Sequence, residues 1–119
     1  RVQAVIFDLS GTVIDFGSRG PVLAFVELFR RHGLAVTEEE ARRPMGSHKW
    51  DHIMSVLQEA RVRELWIAAK GRAPGAADVD AMYPEFTAIQ IETLAHHSAV
   101  LPGVAETVAE LGRRGIRYA

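Results

Sequence analysis

Cysteine is absent from this chain of 119 residues. Without a thiol there is no disulfide framework and no thiolate metal site. Charge of one sign is also missing: 14 Lys and Arg face 15 Asp and Glu, for a net charge of -1. A general nucleic-acid binder needs a basic face, and these balanced totals suggest none. No apolar run approaches the ~20 residues that cross a bilayer, so no membrane partner is expected. The first residues enter an apolar pattern directly, unlike a signal peptide. A soluble cytoplasmic protein is the resulting expectation. Internal repeats and low-complexity tracts are missing as well.

What is present suits a globular protein with one modest core, at 48% hydrophobic and 24% charged residues. Residues 2–7 predict a first, buried strand. A helix follows over 21–30, with Pro21 in its first turn and Gly33 just past its end. Thr37 predicts the N-cap of a short helix, with Glu40 three residues on to complete a capping box and Pro44 to end it. Gly46-Ser47 is expected to open a helix whose apolar positions are Trp50, Ile53, Met54 and Leu57. Helices over 61–70 and 78–97 follow, separated by a loop at 71–75. Pro84 should kink the second of these or displace its start. A last helix from Pro102-Gly103 to about residue 114 leads through Gly115 to a strand at 116–119.

The most informative stretch is Val5-Ile6-Phe7-Asp8-Leu9-Ser10-Gly11-Thr12-Val13-Ile14-Asp15. It puts a carboxylate, Asp8, at the carboxyl end of a strand, with a Gly-Thr turn behind it. Open α/β sheets place their ligands there. A carboxylate in that position can be both a metal ligand and a nucleophile. The pattern resembles motif I of the haloacid dehalogenase (HAD) superfamily, whose Asp takes a phosphoryl group onto itself.

A second segment narrows the resemblance. Pro44-Met45-Gly46-Ser47-His48-Lys49-Trp50-Asp51-His52 resembles a segment of the phosphonoacetaldehyde hydrolase (phosphonatase) family, HAD enzymes that break a carbon–phosphorus bond. Val13 to Gly17, Pro21, Val36 to Arg42 and Leu101 to Val104 fit the same family in unbroken order. The resemblance implies an α/β fold: a Rossmann-like HAD core, incomplete here, with an inserted α-helical cap domain. Residues 1–17 and 100–119 would be parts of the core, and 18–99 the cap.

The resemblance also implies a chemistry. A bare carbanion is a poor leaving group, so the family joins the substrate aldehyde to a lysine amine, here Lys49, as a protonated imine. The imine accepts the electrons of the departing bond and leaves as an enamine. Asp8 would take the phosphoryl group, and water would release phosphate, with acetaldehyde as the other product. Mg²⁺ is the implied cofactor, held by the Asp8 carboxylate and the Ser10 main-chain carbonyl. An amine attacks a carbonyl only when neutral, and the positive end of the helix expected at Gly46 disfavours the ammonium of Lys49. His52 lies three residues on, on the same helical face, and is implied in proton transfers around imine formation. Thr12, Ser18, Met45 and Gly46 match positions implied in substrate binding. The partner is a small phosphonate, and the family implies a homodimer formed through cap helices.

Several positions depart from the family, among them Arg19-Gly20, which stand where an aromatic-Ala pair is usual. Ser10 stands where HAD phosphatases carry a second Asp and phosphonatases typically Ala; a hydroxyl is a poor general acid near neutral pH. Ser18 stands where Cys is frequent, and His48 is larger and more polar than expected. His96-His97 are read as solvated side chains. The chain stops where a second core strand should deliver motif II, with motifs III and IV absent. It is therefore expected to be a portion of a longer protein or a truncated product, inactive alone. Two alternatives stand beside the leading reading. One is a HAD phosphatase or mutase acting on a phosphate ester. The other is a non-catalytic interaction module using the apolar face Val22, Phe25, Val26 and Phe29.

Overall fold

The computed structural model describes all 119 residues, Arg1–Ala119. They fall into two compact units, one of Arg1–Arg19 with Ala95–Ala119, the other of Gly20–Leu94. The boundaries expected from sequence, 17/18 and 99/100, lie a few residues outside these.

In the first unit β1 (Ala4–Val5) pairs in parallel with β2 (Arg117–Tyr118), Ala4 opposite Arg117 and Val5 opposite Tyr118. The ladder continues on both sides of these short strands: Arg117 N–H donates to Gln3 O, Ala119 N–H to Val5 O and Phe7 N–H to Ala119 O. The predicted strand over 2–7 is therefore shorter and is not buried. Ala4 and Ile6 point to an open face, with Ile6 86% exposed, while Val5 and Phe7 on the other face are half-covered. A strand alternates its side chains, so a two-stranded sheet covered on one side leaves every second residue in solvent. The helix α6 (Val104–Arg113) precedes β2, and Gly115 at φ 66° makes the turn between them.

The second unit is helical: α1 (Arg19–Arg31, whose first residue belongs to the other unit), α2 (Glu38–Arg42), α3 (Lys49–Gln58), α4 (Ala60–Lys70) and α5 (Ala76–His96, which runs two residues past the unit). Gly33 at φ 81° ends α1 in a Schellman arrangement, with Leu34 N–H on Phe29 O and Gly33 N–H on Arg30 O. Thr37 caps α2, and its capping box with Glu40 is complete. The helix expected to open at Gly46 begins at Lys49 instead. Residues 43–47 form turns, and the His48 ring caps α3 by accepting from Trp50 N–H at 3.4 Å. α5 runs unbroken through Pro84 and starts eight residues before it, so the proline does not displace its start.

The core joins Phe25, Leu28 and Phe29 of α1 to Ile53, Val56 and Leu57 of α3, Val62 and Trp66 of α4, and Met82, Phe86 and Ile89 of α5. Val22, Phe25 and Phe29 are fully buried inside their own unit, and Val26 is partly covered. That corrects the interaction-module alternative in its stated form, because the apolar face of α1 is not available to a partner.

One ion pair ties α2 to α4. Arg61 reaches Glu40 with Nε at 2.8 Å and Nη2 at 2.6 Å, and Nη2 also donates to Ala35 O at 2.7 Å. The guanidinium holds the Glu40 carboxyl at about 2, down from 4.5, aided by Thr37 N–H and opposed by burial. A carboxyl with a lowered folded-state pKa stabilises the fold above its unfolded value and loses that contribution as pH falls through the folded one. The stability gap between wild type and Glu40→Gln should therefore be full above pH 4.5 and shrink towards pH 2. Thermal unfolding across that window checks this, and a constant gap would contradict it.

Candidate functional site

In the first unit the chain leaves β1 and turns back on itself after Asp8. The Leu9 carbonyl accepts from the N–H groups of Thr12, Val13 and Ile14, at 3.3, 2.9 and 3.1 Å. This winds residues 9–14 into a tight loop and leaves Asp8 exposed at the end of the strand. Gly11 takes φ 81° within it, and an added Cβ would fall inside contact distance of Ser18 Oγ. Gly11→Ala should therefore cost about 1–3 kcal/mol, read as a lowered melting temperature. An unchanged melting temperature would show that the loop relaxes freely.

Asp15 is the hub of this loop, a part that sequence reasoning did not assign to it. It is 7% exposed and adopts φ 59°, the left-handed region that Asp tolerates better than most residues. Its Oδ2 accepts the Ser10 hydroxyl at 3.3 Å and its Oδ1 accepts Arg19 N–H at 3.1 Å. His97 Nδ1 lies 3.8 Å from Oδ1, so His97 sits beside a carboxylate rather than standing free in solvent. Ser18, at φ 50°, donates its hydroxyl to the Ser10 carbonyl at 3.1 Å. Thr12 is exposed and lines an open pocket of about 250 Å³ with Phe7, Pro102, Gly103, Val104 and Thr107.

These residues match a hard cation in donor type. The Asp8 carboxylate and the Ser10 carbonyl are hard oxygens, and a carbonyl that already accepts Ser18 keeps a second lone pair. They are only two oxygens, and no group of three or more His, Cys, Asp or Glu is arranged to hold a metal.

In the second unit Lys49 is the first residue of α3, half-buried, with Nζ 5.8 Å from the centroid of the Phe25 ring. His52 is fully buried and stacks on the same ring, centroids 3.7 Å apart and planes 13° from parallel. Its Nε2 lies 2.6 Å from the Ala41 carbonyl. A carbonyl only accepts, so Nε2 carries the hydrogen, and Nδ1 has no partner. Burial pushes the imidazole below its usual range, the Ala41 bond opposes this, and the Lys49 charge adds to the lowering. The result is a neutral ring with one bare nitrogen. Met45 packs against the core, and Gly46 is exposed at φ 97° with open space around it.

Asp8, Ser10, Thr12 and Ser18 thus belong to one loop, and Lys49 and His52 to one ring platform. Sequence reasoning missed Phe25 as that platform and the Ala41 carbonyl as the anchor of His52. Neither leaves a signal in sequence, since one is an ordinary core residue and the other a main-chain atom.

The family model for haloacid dehalogenase-like hydrolase matches residues 2–119. The chain is 47% identical over 116 residues to the phosphonoacetaldehyde hydrolase of Pseudomonas fluorescens (strain SBW25), covering 98% of this chain and 42% of that protein. With the phosphonoacetaldehyde hydrolase of Bacillus cereus (strain AH187) it is 39% identical over 117 residues, covering 98% and 44%. The crystal structure of a phosphonoacetaldehyde hydrolase-like protein from Oleispira antarctica superposes with a TM-score of 0.91 at 42% identity, covering 98% of this chain and 42% of that one. The chain therefore spans less than half the length of these relatives.

Proposed function

The chain belongs to the haloacid dehalogenase-like hydrolases, and from that premise we propose that it is part of an enzyme that cleaves the C–P bond of phosphonoacetaldehyde. The strand-bearing unit is the start of the HAD core, and the helical unit Gly20–Leu94 is its cap. The observation that carries the reading is Lys49 in the first turn of α3, above a ring platform it shares with a neutral His52. The relatives named as phosphonoacetaldehyde hydrolases support it along 98% of the chain.

In this reaction Lys49 Nζ adds to the aldehyde carbon and, with loss of water, forms the protonated imine. Nδ1 of His52, the bare nitrogen, takes and returns the protons that the carbinolamine must exchange. Asp8 attacks phosphorus in line as the C–P electrons move into the imine, giving an enamine on Lys49 and an aspartyl phosphate. Water then hydrolyses the acyl phosphate and the enamine, releasing phosphate and acetaldehyde. Mg²⁺ held by Asp8 and the Ser10 carbonyl would offset the negative charge of carboxylate and phosphonate. Ser10 keeps its hydroxyl on Asp15 and offers no acid to an alcohol leaving group, which favours the phosphonate over a phosphate ester.

The test is a product assay on the full-length protein. Phosphonoacetaldehyde should yield acetaldehyde and phosphate in equal amounts. Turnover of phosphate monoesters without turnover of the phosphonate would contradict the proposal.

A further inference from the structure

We propose that the Glu40–Arg61 ion pair is a positioning device for the Lys49–His52 cluster: by holding α2 it holds the Ala41 carbonyl, and that carbonyl fixes the tautomer and orientation of the His52 ring. The inference rests on the roles of Lys49 and His52 given above.

α2 has five residues, too few to persist by itself, since isolated helices below about 12 residues are marginal in water. Its capping box and Arg61 hold its first turn, and Arg43 at its C-terminus pairs with Glu59 at 2.9 Å on the more exposed side. Arg61 makes two bonds to the Glu40 carboxylate and a third to Ala35 O, so one guanidinium ties the helix and the chain two residues before its cap to α4. Glu40 itself is 7% exposed and also accepts Thr37 N–H and the Thr37 hydroxyl. The next residue, Ala41, is fully buried, and its carbonyl meets His52 Nε2 at 2.6 Å. Anchor and carbonyl are thus neighbours on one turn and move together.

The carbonyl makes the only hydrogen bond to the His52 ring, whose other nitrogen is buried without a partner. Stacking on Phe25 fixes the plane of the ring but does not choose which nitrogen carries the hydrogen. That choice belongs to Ala41, and through α2 to Arg61. With the carbonyl displaced, the bare Nδ1 that the proposed proton transfers use is no longer guaranteed.

The experiment uses full-length protein with nitrogen-labelled histidine. It reads the His52 tautomer by NMR and the rate at which Lys49 forms a borohydride-trappable adduct with phosphonoacetaldehyde. Wild type should show hydrogen on Nε2. Arg61→Ala should show a mixed tautomer pattern and adduct formation slowed about tenfold or more, since misplacement by 1 Å can cost about a hundredfold. Arg61→Lys should recover most of both, and Glu40→Gln gives the same comparison should Arg61→Ala not fold. Arg72→Ala removes a second two-bond arginine–carboxylate pair of the same unit, to Asp78, without touching α2. It should lower the melting temperature and leave tautomer and rate unchanged. A wild-type tautomer and rate in both Arg61→Ala and Glu40→Gln would overturn the inference, as would equal slowing in Arg72→Ala. Should wild type itself trap no adduct, the imine reading fails, while the tautomer comparison still decides the positioning role.

Discussion

Lys49→Arg in the full-length protein is expected to lose more than about a thousandfold in turnover of phosphonoacetaldehyde, since the variant keeps the charge but removes the nucleophile. A guanidinium is too basic to attack a carbonyl at neutral pH. Its charge can still sit over the Phe25 ring, where Lys49 Nζ lies 5.8 Å from the centroid, so the helical unit should keep its fold. The readouts are acetaldehyde release and thermal unfolding. An enzyme that used Lys49 only to hold a phosphate would retain appreciable activity as the arginine variant. Such retention would favour the phosphate-ester reading.

Asp8→Asn should have an effect of the same size for a different reason. The amide nearly matches the carboxylate in shape but neither attacks phosphorus nor binds a cation as an anion does. Asp8 is exposed at the end of β1. The change should therefore leave stability within about 0.5 kcal/mol of wild type, as for most surface substitutions. Turnover within a few-fold of wild type would remove Asp8 from the mechanism.

The sequence was most legible where local chemistry sets the structure. The Thr37–Glu40 capping box and the Gly33 terminus appear as read, because both are closed by bonds between residues no more than five apart. Reading failed where the decision is non-local. Gly46-Ser47 look like a helix start, yet His48 supplies the cap and its ring stacks with Tyr83 at 6.1 Å, a contact no spacing rule anticipates. The run at residues 4–7 reads as buried, but burial depends on the neighbours of a strand, and this sheet has two strands. The apolar face of α1 was equally suited to a partner or to its own unit, and only packing shows the second.

Candidate site residues were legible through motif resemblance, and their supports were not. Asp15 lies within the motif I stretch, but its role is not legible there, because its bonds to Ser10 and Arg19 depend on a left-handed backbone that sequence does not display. His97, eighty-two residues further on, reaches the same carboxylate through the pairing of Asp15 N–H with Ala99 O. No helix is long and apolar enough to cross a membrane.

The most direct test of the central claim is borohydride trapping in the full-length protein, read by peptide mass spectrometry. Incubation with phosphonoacetaldehyde and borohydride should leave a reduced, secondary-amine adduct on the peptide that contains Lys49, and none in Lys49→Arg. Turnover of phosphonoacetaldehyde with no adduct on Lys49 would contradict the account.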